Sequence, residues 1–334
     1  MDVLLSAPVL FFALGAAITL AGARIPFPDG FGKALAAYLL VAIGLKGGAA
    51  LAGADAGAVT PLLLTAAALS FTMPFLGFAL LRRLAGVDRL NAASIAAHYG
   101  SVSLVTFVTA TRMLDSQGIA FGGHMVAALA VMEGPAIVSG LLLAGLTGTV
   151  RAGGGGTAVL THGGGAMLPG GDAIRSALRE AALNGSVLLL AGSLLVGLAV
   201  GKPGLASLHG LFVAPWEGVL CLFLLEMGAL AAARVRDAAG LSPRLIAFGL
   251  GMPLVGAAVG LAAALGLGLG AGDAALLVTL CASASYIAVP AALRHALPAA
   301  DAGLPLTLAL GVTFPVNILA GVPLYIAVTR AVMG

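Results

Sequence analysis

Two short stretches of small hydroxyl residues lie deep inside otherwise apolar runs, and they hold most of the chemistry available to this chain. One reads Ala97-His98-Tyr99-Gly100-Ser101-Val102-Ser103-Leu104-Val105-Thr106. The other reads Cys281-Ala282-Ser283-Ala284-Ser285-Tyr286-Ile287-Ala288-Val289-Pro290. Gly100 and Pro290 both disfavour a continuous helix. A helix interrupted at mid-membrane frees main-chain N–H groups, and the N-terminus of each half-helix carries partial positive charge. Two such breaks facing each other make an anion pocket without a buried lysine, and serine hydroxyls add donors at fixed positions. The expected binding residues are Gly100, Ser101, Ser103, Thr106, Ser283, Ser285 and Tyr286. The plainer reading of one such motif is close helix packing. Its recurrence at matched positions in the chain favours a site.

Glu133 is the sharpest single residue, in Val131-Met132-Glu133-Gly134-Pro135. A carboxylate at that depth in an apolar run costs a few kcal/mol unless it faces protein or water. Its expected role is to ligate a cation, sodium first, or to carry a proton. Carbonyls freed by Gly134-Pro135 suit a cation that wants oxygen ligands. Near the matching place in the second half stands Asn317, which supplies a further oxygen. The competing reading of Glu133 is a protonated, hydrogen-bonded structural residue. Lys46 and Glu226 occupy matching places in two other runs; if those runs meet, a structural ion pair, or snorkelling by Lys46, is the expected reading, with a coupling or gating role as the alternative. His98 stands alone: no further ligands make a zinc site with it, and a packed, hydrogen-bonded role is the reading it favours. With Ser101 it is the one nucleophile–base candidate, and no third group orients it, so an enzyme is not expected. Arg112 and Arg294 close their runs as interface anchors. No cofactor is expected beyond sodium as a co-transported ion.

The elements that must position these residues follow from composition. The chain has 334 residues, 60% hydrophobic and 9% charged, with a mean hydropathy of +1.12. Lipid must be the solvent for such a chain. The net charge of +3 is not a nucleic-acid footprint, because the charges stand singly between apolar runs. Cys221 and Cys281 lie inside such runs and make no disulfide framework. The runs fall near 4–23, 34–54, 58–81, 91–111, 121–147, 181–200, 212–233, 244–268, 274–293 and 303–329. Each is long enough for one crossing of roughly 20 residues. The reading is an all-α, polytopic protein of ten transmembrane helices, with residues 1–147 as a first five-helix repeat, 148–174 as a Gly-rich cytoplasmic linker and 175–334 as a second, inverted repeat.

The two halves carry the same marks in the same order. Thr60-Pro61 answers Ser242-Pro243, Met73-Pro74 answers Met252-Pro253, Asn91 answers Asp273, and Pro135 answers Pro315. Ser101-Val102-Ser103 answers Ser283-Ala284-Ser285, and each is followed nine residues on by an arginine. The offset stays within 179 to 182 residues. Five spans is an odd number, so the second half starts on the opposite side and runs inverted, an architecture that recurs in secondary transporters. Twelve of the basic residues, among them Arg82, Arg83, Arg89, Arg234, Arg236 and Arg244, fall in loops on one side; Arg112, Lys202 and Arg330 fall on the other. The first side is then cytoplasmic and both termini face outward across the inner membrane.

Through Ile43 to Gly48, Gly100 to Thr106, Met132 to Ala136, Val196 to Lys202, Ser283 to Arg294 and Thr313 to Pro323, the chain resembles the sodium-dependent bicarbonate transporter family of bacteria. The resemblance implies a mobile core domain, a gate domain that holds a homotrimer together, and bicarbonate bound where the two broken spans cross, with sodium nearby. Carried over by position, Ser101, Ser103, Ser283 and Ser285 would hold the anion, and Glu133 stands where the family has an acidic residue before its proline. It implies sodium-coupled bicarbonate uptake by an elevator motion. The alternative is a related carrier for another small anion, or a proton- or cation-coupled exchanger. Bicarbonate carriers of the family have an acidic residue where this chain has Tyr286, and the short Gly-rich linker weakens the case for a regulatory protein docking there.

Overall fold

A chain dissolved in hydrocarbon must satisfy its main-chain polar groups within each segment, so the apolar runs fold as helices. The computed structural model describes residues 6–23, 25–52, 56–145, 150–152, 158–160, 179, 183 and 185–334. The first half contains α1 (Ala7–Leu20), α2 (Phe31–Leu51), α3 (Ala56–Leu80), α4 (Arg89–Gly100), α5 (Leu104–Ser116), α6 (His124–Met132) and α7 (Pro135–Gly145). The second contains α8 (Gly185–Ser207), the short α9 (His209–Phe212), α10 (Trp216–Ala238), α11 (Pro243–Gly266), α12 (Ala271–Cys281), α13 (Ala288–Ala296), α14 (Gly303–Leu308), α15 (Phe314–Val316) and α16 (Val322–Met333). Wider π turns extend α3 over Leu81–Ala85 and join α14 to α16 over Ala309–Thr313 and Asn317–Gly321.

Eight helical segments are long and apolar enough to cross a membrane among the described residues. Two shorter apolar helices, Ala7–Leu20 and Ala271–Cys281, occupy the first and ninth runs. Helix α1 begins at Ala7 after Ser6, which is extended as its N-cap, and α12 is cut short by the break after Cys281. The chain is all-helical as expected, with one short addition outside the helices. Within the 148–174 linker, Val150–Ala152 pairs antiparallel with Ala158–Leu160, Val150 opposite Leu160. The rest of that linker lies outside the described residues.

Two helix pairs meet backbone to backbone through glycines. On α1 and α10, a Cβ on Gly15 would lie 1.9 Å from the Leu225 carbonyl oxygen and one on Gly228 would lie 2.0 Å from that of Phe12. On α2 and α8, a Cβ on Gly48 would lie 2.0 Å from the Leu194 carbonyl oxygen and one on Gly197 2.3 Å from that of Leu45. Only glycine lets the backbones meet at these points, as small residues do wherever membrane helices cross closely. The two crossings are copies of one another. Gly15 pairs with Leu225 as Gly197 pairs with Leu45, and Gly48 with Leu194 as Gly228 with Phe12, at the 180 to 182 residue offset found in the sequence. Helix α2 also contacts α10, so α1, α2, α8 and α10 form one side of the molecule, and α6 lies between it and α3. The second side is built from α3, α4 and α7, and from α5, α11, α12 and α16.

Candidate functional site

Both hydroxyl-bearing stretches are broken. Helix α4 ends at Gly100 and α5 starts at Leu104, with Ser101 and Ser103 in extended conformations between them. Helix α12 ends at Cys281 and α13 starts at Ala288. The sequence named Gly100 and Pro290 as the breakers, and here the structure differs. Gly100 closes α4 and is needed for close approach, since a Cβ there would lie 2.3 Å from the ring of Pro74 in α3. Pro290 sits in the first turn of α13, where a missing N–H costs nothing, and so begins that helix instead of breaking it.

The two breaks touch. Ser285 N–H donates to the His98 carbonyl at 2.7 Å, and Ser103 N–H donates to Ser283 Oγ at 2.9 Å. Ser283 in turn donates to the Leu280 carbonyl at 2.8 Å. These bonds cross between the halves and satisfy main-chain groups that each break exposes. Ser103 caps α5: its Oγ accepts from Thr106 N–H at 3.2 Å and from Thr106 Oγ1 at 3.0 Å, and it donates to the Tyr286 hydroxyl at 3.3 Å. Ser101, Ser103, Thr106, Ser283 and Ser285 are each no more than 3% exposed.

A narrow cleft lies at this crossing, lined by Leu40, Ser103, Leu104, Glu133, Ser285 and Tyr286 among others. It has room for about one water molecule. Hydroxyls already committed to protein acceptors cannot also donate to a ligand. Ser101, Ser283 and Thr106 are committed in this way and stand behind the residues that line the cleft. Tyr286 accepts from Ser103, which leaves its own hydroxyl hydrogen to donate. Ser285 Oγ accepts from Val289 N–H at 3.4 Å and likewise keeps its hydrogen. The N–H groups of Leu104 and Val105, in the first turn of α5, have no helical acceptor. Donors from both halves thus converge, and among the described residues that line the cleft none is cationic.

Glu133 sits in the turn between α6 and α7, 7% exposed. Ser101 Oγ lies 3.3 Å from its Oε2 and 3.4 Å from its carbonyl oxygen. The preceding carbonyl, of Met132, accepts from Ser70 at 2.7 Å. The carbonyls freed before Pro135 therefore have hydroxyl partners, and the carboxylate lines the same cleft as Tyr286. Asn317 stands elsewhere. Its Nδ2 donates to the Ala282 carbonyl at 2.8 Å and its Oδ1 accepts from Tyr325 at 2.9 Å, so it holds the end of α12.

The Lys46–Glu226 pair does not form. Lys46 Nζ lies 4.4 Å from the centroid of the Trp216 ring at the start of α10. Glu226 packs its carboxylate against Gly32 in the first turn of α2, where a negative charge is favoured. The two runs meet as expected, but the charges sit near opposite ends of α2, about 14 residues or 21 Å apart along the axis. Arg112 makes a two-point ion pair with Glu217, 2.7 Å at its closest. His98 donates from Nδ1 to the Ser94 carbonyl at 2.8 Å and is 2% exposed, the packed histidine expected.

Several contributors escaped the sequence reading. Tyr99 bonds Thr313 at 2.5 Å, Thr313 donates to the Gly249 carbonyl at 2.8 Å, and Tyr325 holds Asn317. Leu40 closes the cleft from α2. Tyr99 was adjacent to the motif; nothing local marks Leu40, which is apolar among apolar neighbours.

Eight segments able to span a membrane, one of them interrupted and meeting a second break across an internal cleft, describe a multi-pass membrane protein. The family model of the Na+-dependent bicarbonate transporter superfamily matches residues 7–330, and the chain belongs to that superfamily. No match was found among curated proteins.

Proposed function

We propose that this protein takes up bicarbonate with sodium by alternating access of an elevator type. The observation that carries the reading is the meeting of the two breaks beside Glu133. Tyr286, Ser285 and the α5 N-terminus offer donors to an oxyanion, and Glu133 with Ser101 offers oxygens to a sodium ion next to it. An anion and a cation bound side by side neutralise each other, which lowers the cost of carrying both through hydrocarbon. Sodium entry also supplies about 2.3 kcal/mol per charge for each 100 mV, enough to offset the anion's movement into a negative cell.

The cleft lies where the broken helices face α2, with Leu40 as its lid from that side. Sliding of the broken-helix bundle along the α1, α2, α8 and α10 group would carry the site across. The repeated glycine contacts within that group support a rigid scaffold, an inverted five-plus-five arrangement and ten spans, with residues 1–147 and 175–334 as the repeats. The remaining parts of the reading are an inner-membrane location with both termini outside and a homotrimer held by the scaffold. Bicarbonate has a planar three-oxygen face that requires the cleft to widen beyond its present one-water size.

The test is uptake of labelled bicarbonate into proteoliposomes with and without a sodium gradient, for wild type and Glu133→Gln. Sodium-stimulated uptake that the variant loses supports the reading. Uptake driven by a proton gradient with no response to sodium would replace sodium with a proton at Glu133, and uptake of other anions in preference would replace bicarbonate.

A further inference from the structure

We propose that Asp273 is a positioning residue that couples the anion side of the cleft to Glu133, by tying together the starts of α12 and α6. What is coupled rests on the function proposed above; the tie itself does not. Each of these half-helices runs from the tie to the site. Helix α6 has 9 residues and ends next to Glu133, and α12 has 11 and ends at the break that carries Ser283 and Ser285. Rods of roughly 13–17 Å are stiff, so fixing their starts fixes the relative position of their far ends.

Three contacts make the tie. Asp273 Oδ1 accepts from Gly122 N–H at 2.7 Å, and Oδ2 accepts from His124 Nε2 at 2.8 Å. Beside it, Gly272 approaches the Ala120 carbonyl so closely that a Cβ would lie 2.1 Å from the oxygen. Gly122 is constrained as well, because a Cβ there would meet the His124 ring at 2.0 Å. The ring can turn back onto Asp273 only over a glycine. Side-chain exposures of 25% for His124 and 17% for Asp273 put the pair largely inside protein.

The first half has the same tie in neutral form. Asn91, the counterpart of Asp273, accepts from Asp301 N–H at 2.7 Å. Asp301 precedes α14 much as Gly122 precedes α6, at an offset of 179 residues. An amide oxygen therefore suffices for the main-chain link, and the essential function of position 273 is to present an acceptor to Gly122 N–H.

Asp273→Ala should raise the bicarbonate KM and the half-activating sodium concentration together, each by about tenfold for the lost charge-assisted hydrogen bond. Asp273→Asn should keep both within about twofold of wild type, as Asn91 does its work in the other half. An Asp273→Asn protein as impaired as Asp273→Ala overturns the proposal, as does an alanine variant in which only one of the two solutes is affected. Should Asp273→Ala fail to fold, Asp273→Glu provides a second arm: one added methylene displaces the acceptor from Gly122 N–H and should raise both values together by a few-fold. A glutamate variant that shifts only one of the two, or neither, overturns the tie. If wild type ignores sodium and bicarbonate altogether, the functional reading fails by itself, and the tie is still judged by thermal melts, in which Asp273→Asn should stay near wild type and Asp273→Glu should fall below it.

Discussion

The two halves of this molecule share a skeleton but not a chemistry. In the first half, the residue two before the proline is Glu133, a carboxylate bonded to Ser101 at the break. In the second half the same place is Thr313, a neutral hydroxyl held by Tyr99 and the Gly249 carbonyl. Around Thr313 the chain winds as π turns where the first half makes a clean break between α6 and α7. The crossings of α1 with α10 and α2 with α8 are, by contrast, near copies. Backbone geometry is alike in both halves because both must pack, whereas the buried ionisable group stands in only one. A second would add desolvation cost and repulsion.

The largest effect should come from the shared skeleton. Gly48→Leu and Gly228→Leu each force a side chain into a carbonyl 2.0 Å away. Each should cost about 3 kcal/mol, at the upper end for overpacking, and sharply reduce the yield of monodisperse protein in detergent. Markedly unequal losses would break the symmetry of the two crossings.

The asymmetry of the site makes the next prediction. Glu133→Gln should lower sodium stimulation of uptake by at least about tenfold, a loss of roughly 1.4 kcal/mol or more, with the folded protein retained. Thr313→Val, which removes the buried hydroxyl bonded to Tyr99 and Gly249, should instead lower thermal stability by about 1–2 kcal/mol and leave sodium dependence in place. Equal loss of sodium response in both variants would erase the distinction between the halves.

Within the second break the serines should separate. Ser283→Ala leaves Ser103 N–H buried without its acceptor and should destabilise by about 1–3 kcal/mol in a detergent melt. Ser285→Ala removes a hydroxyl whose hydrogen is uncommitted and should raise the bicarbonate KM several-fold, with a smaller change in stability. The smallest effect is expected from Tyr286→Phe, about a fivefold rise in KM for one lost neutral hydrogen bond. A Tyr286→Phe protein with an unchanged KM would take Tyr286 out of the anion site.

Much of this comparison was legible from residue order. The matched marks around Asn91 and Asp273, Ser101 and Ser283, and Pro135 and Pro315 located both breaks and the carboxylate, because charged and strongly polar side chains are rare and costly inside apolar runs. The same logic failed where a polar residue had more than one possible partner. Lys46 and Glu226 looked like a pair by position, yet each sits against the start of a helix. Asn317 was marked by its oxygen, and the structure shows its amide bonded to the Ala282 carbonyl at the end of α12 and to Tyr325. Pro290 looked like a breaker and opens α13.

The sequence by itself determined the solvent, the runs that become helices and the residues too expensive to bury idly, since each of these follows from local composition and the cost of a polar group in hydrocarbon. Only the tertiary structure decided which hydroxyls are committed to protein acceptors and which keep a hydrogen for a ligand. It also decided that Leu40 closes the cleft and that Asp273 reaches Gly122 and His124. Those outcomes depend on distances between segments far apart in the chain, which no local pattern encodes.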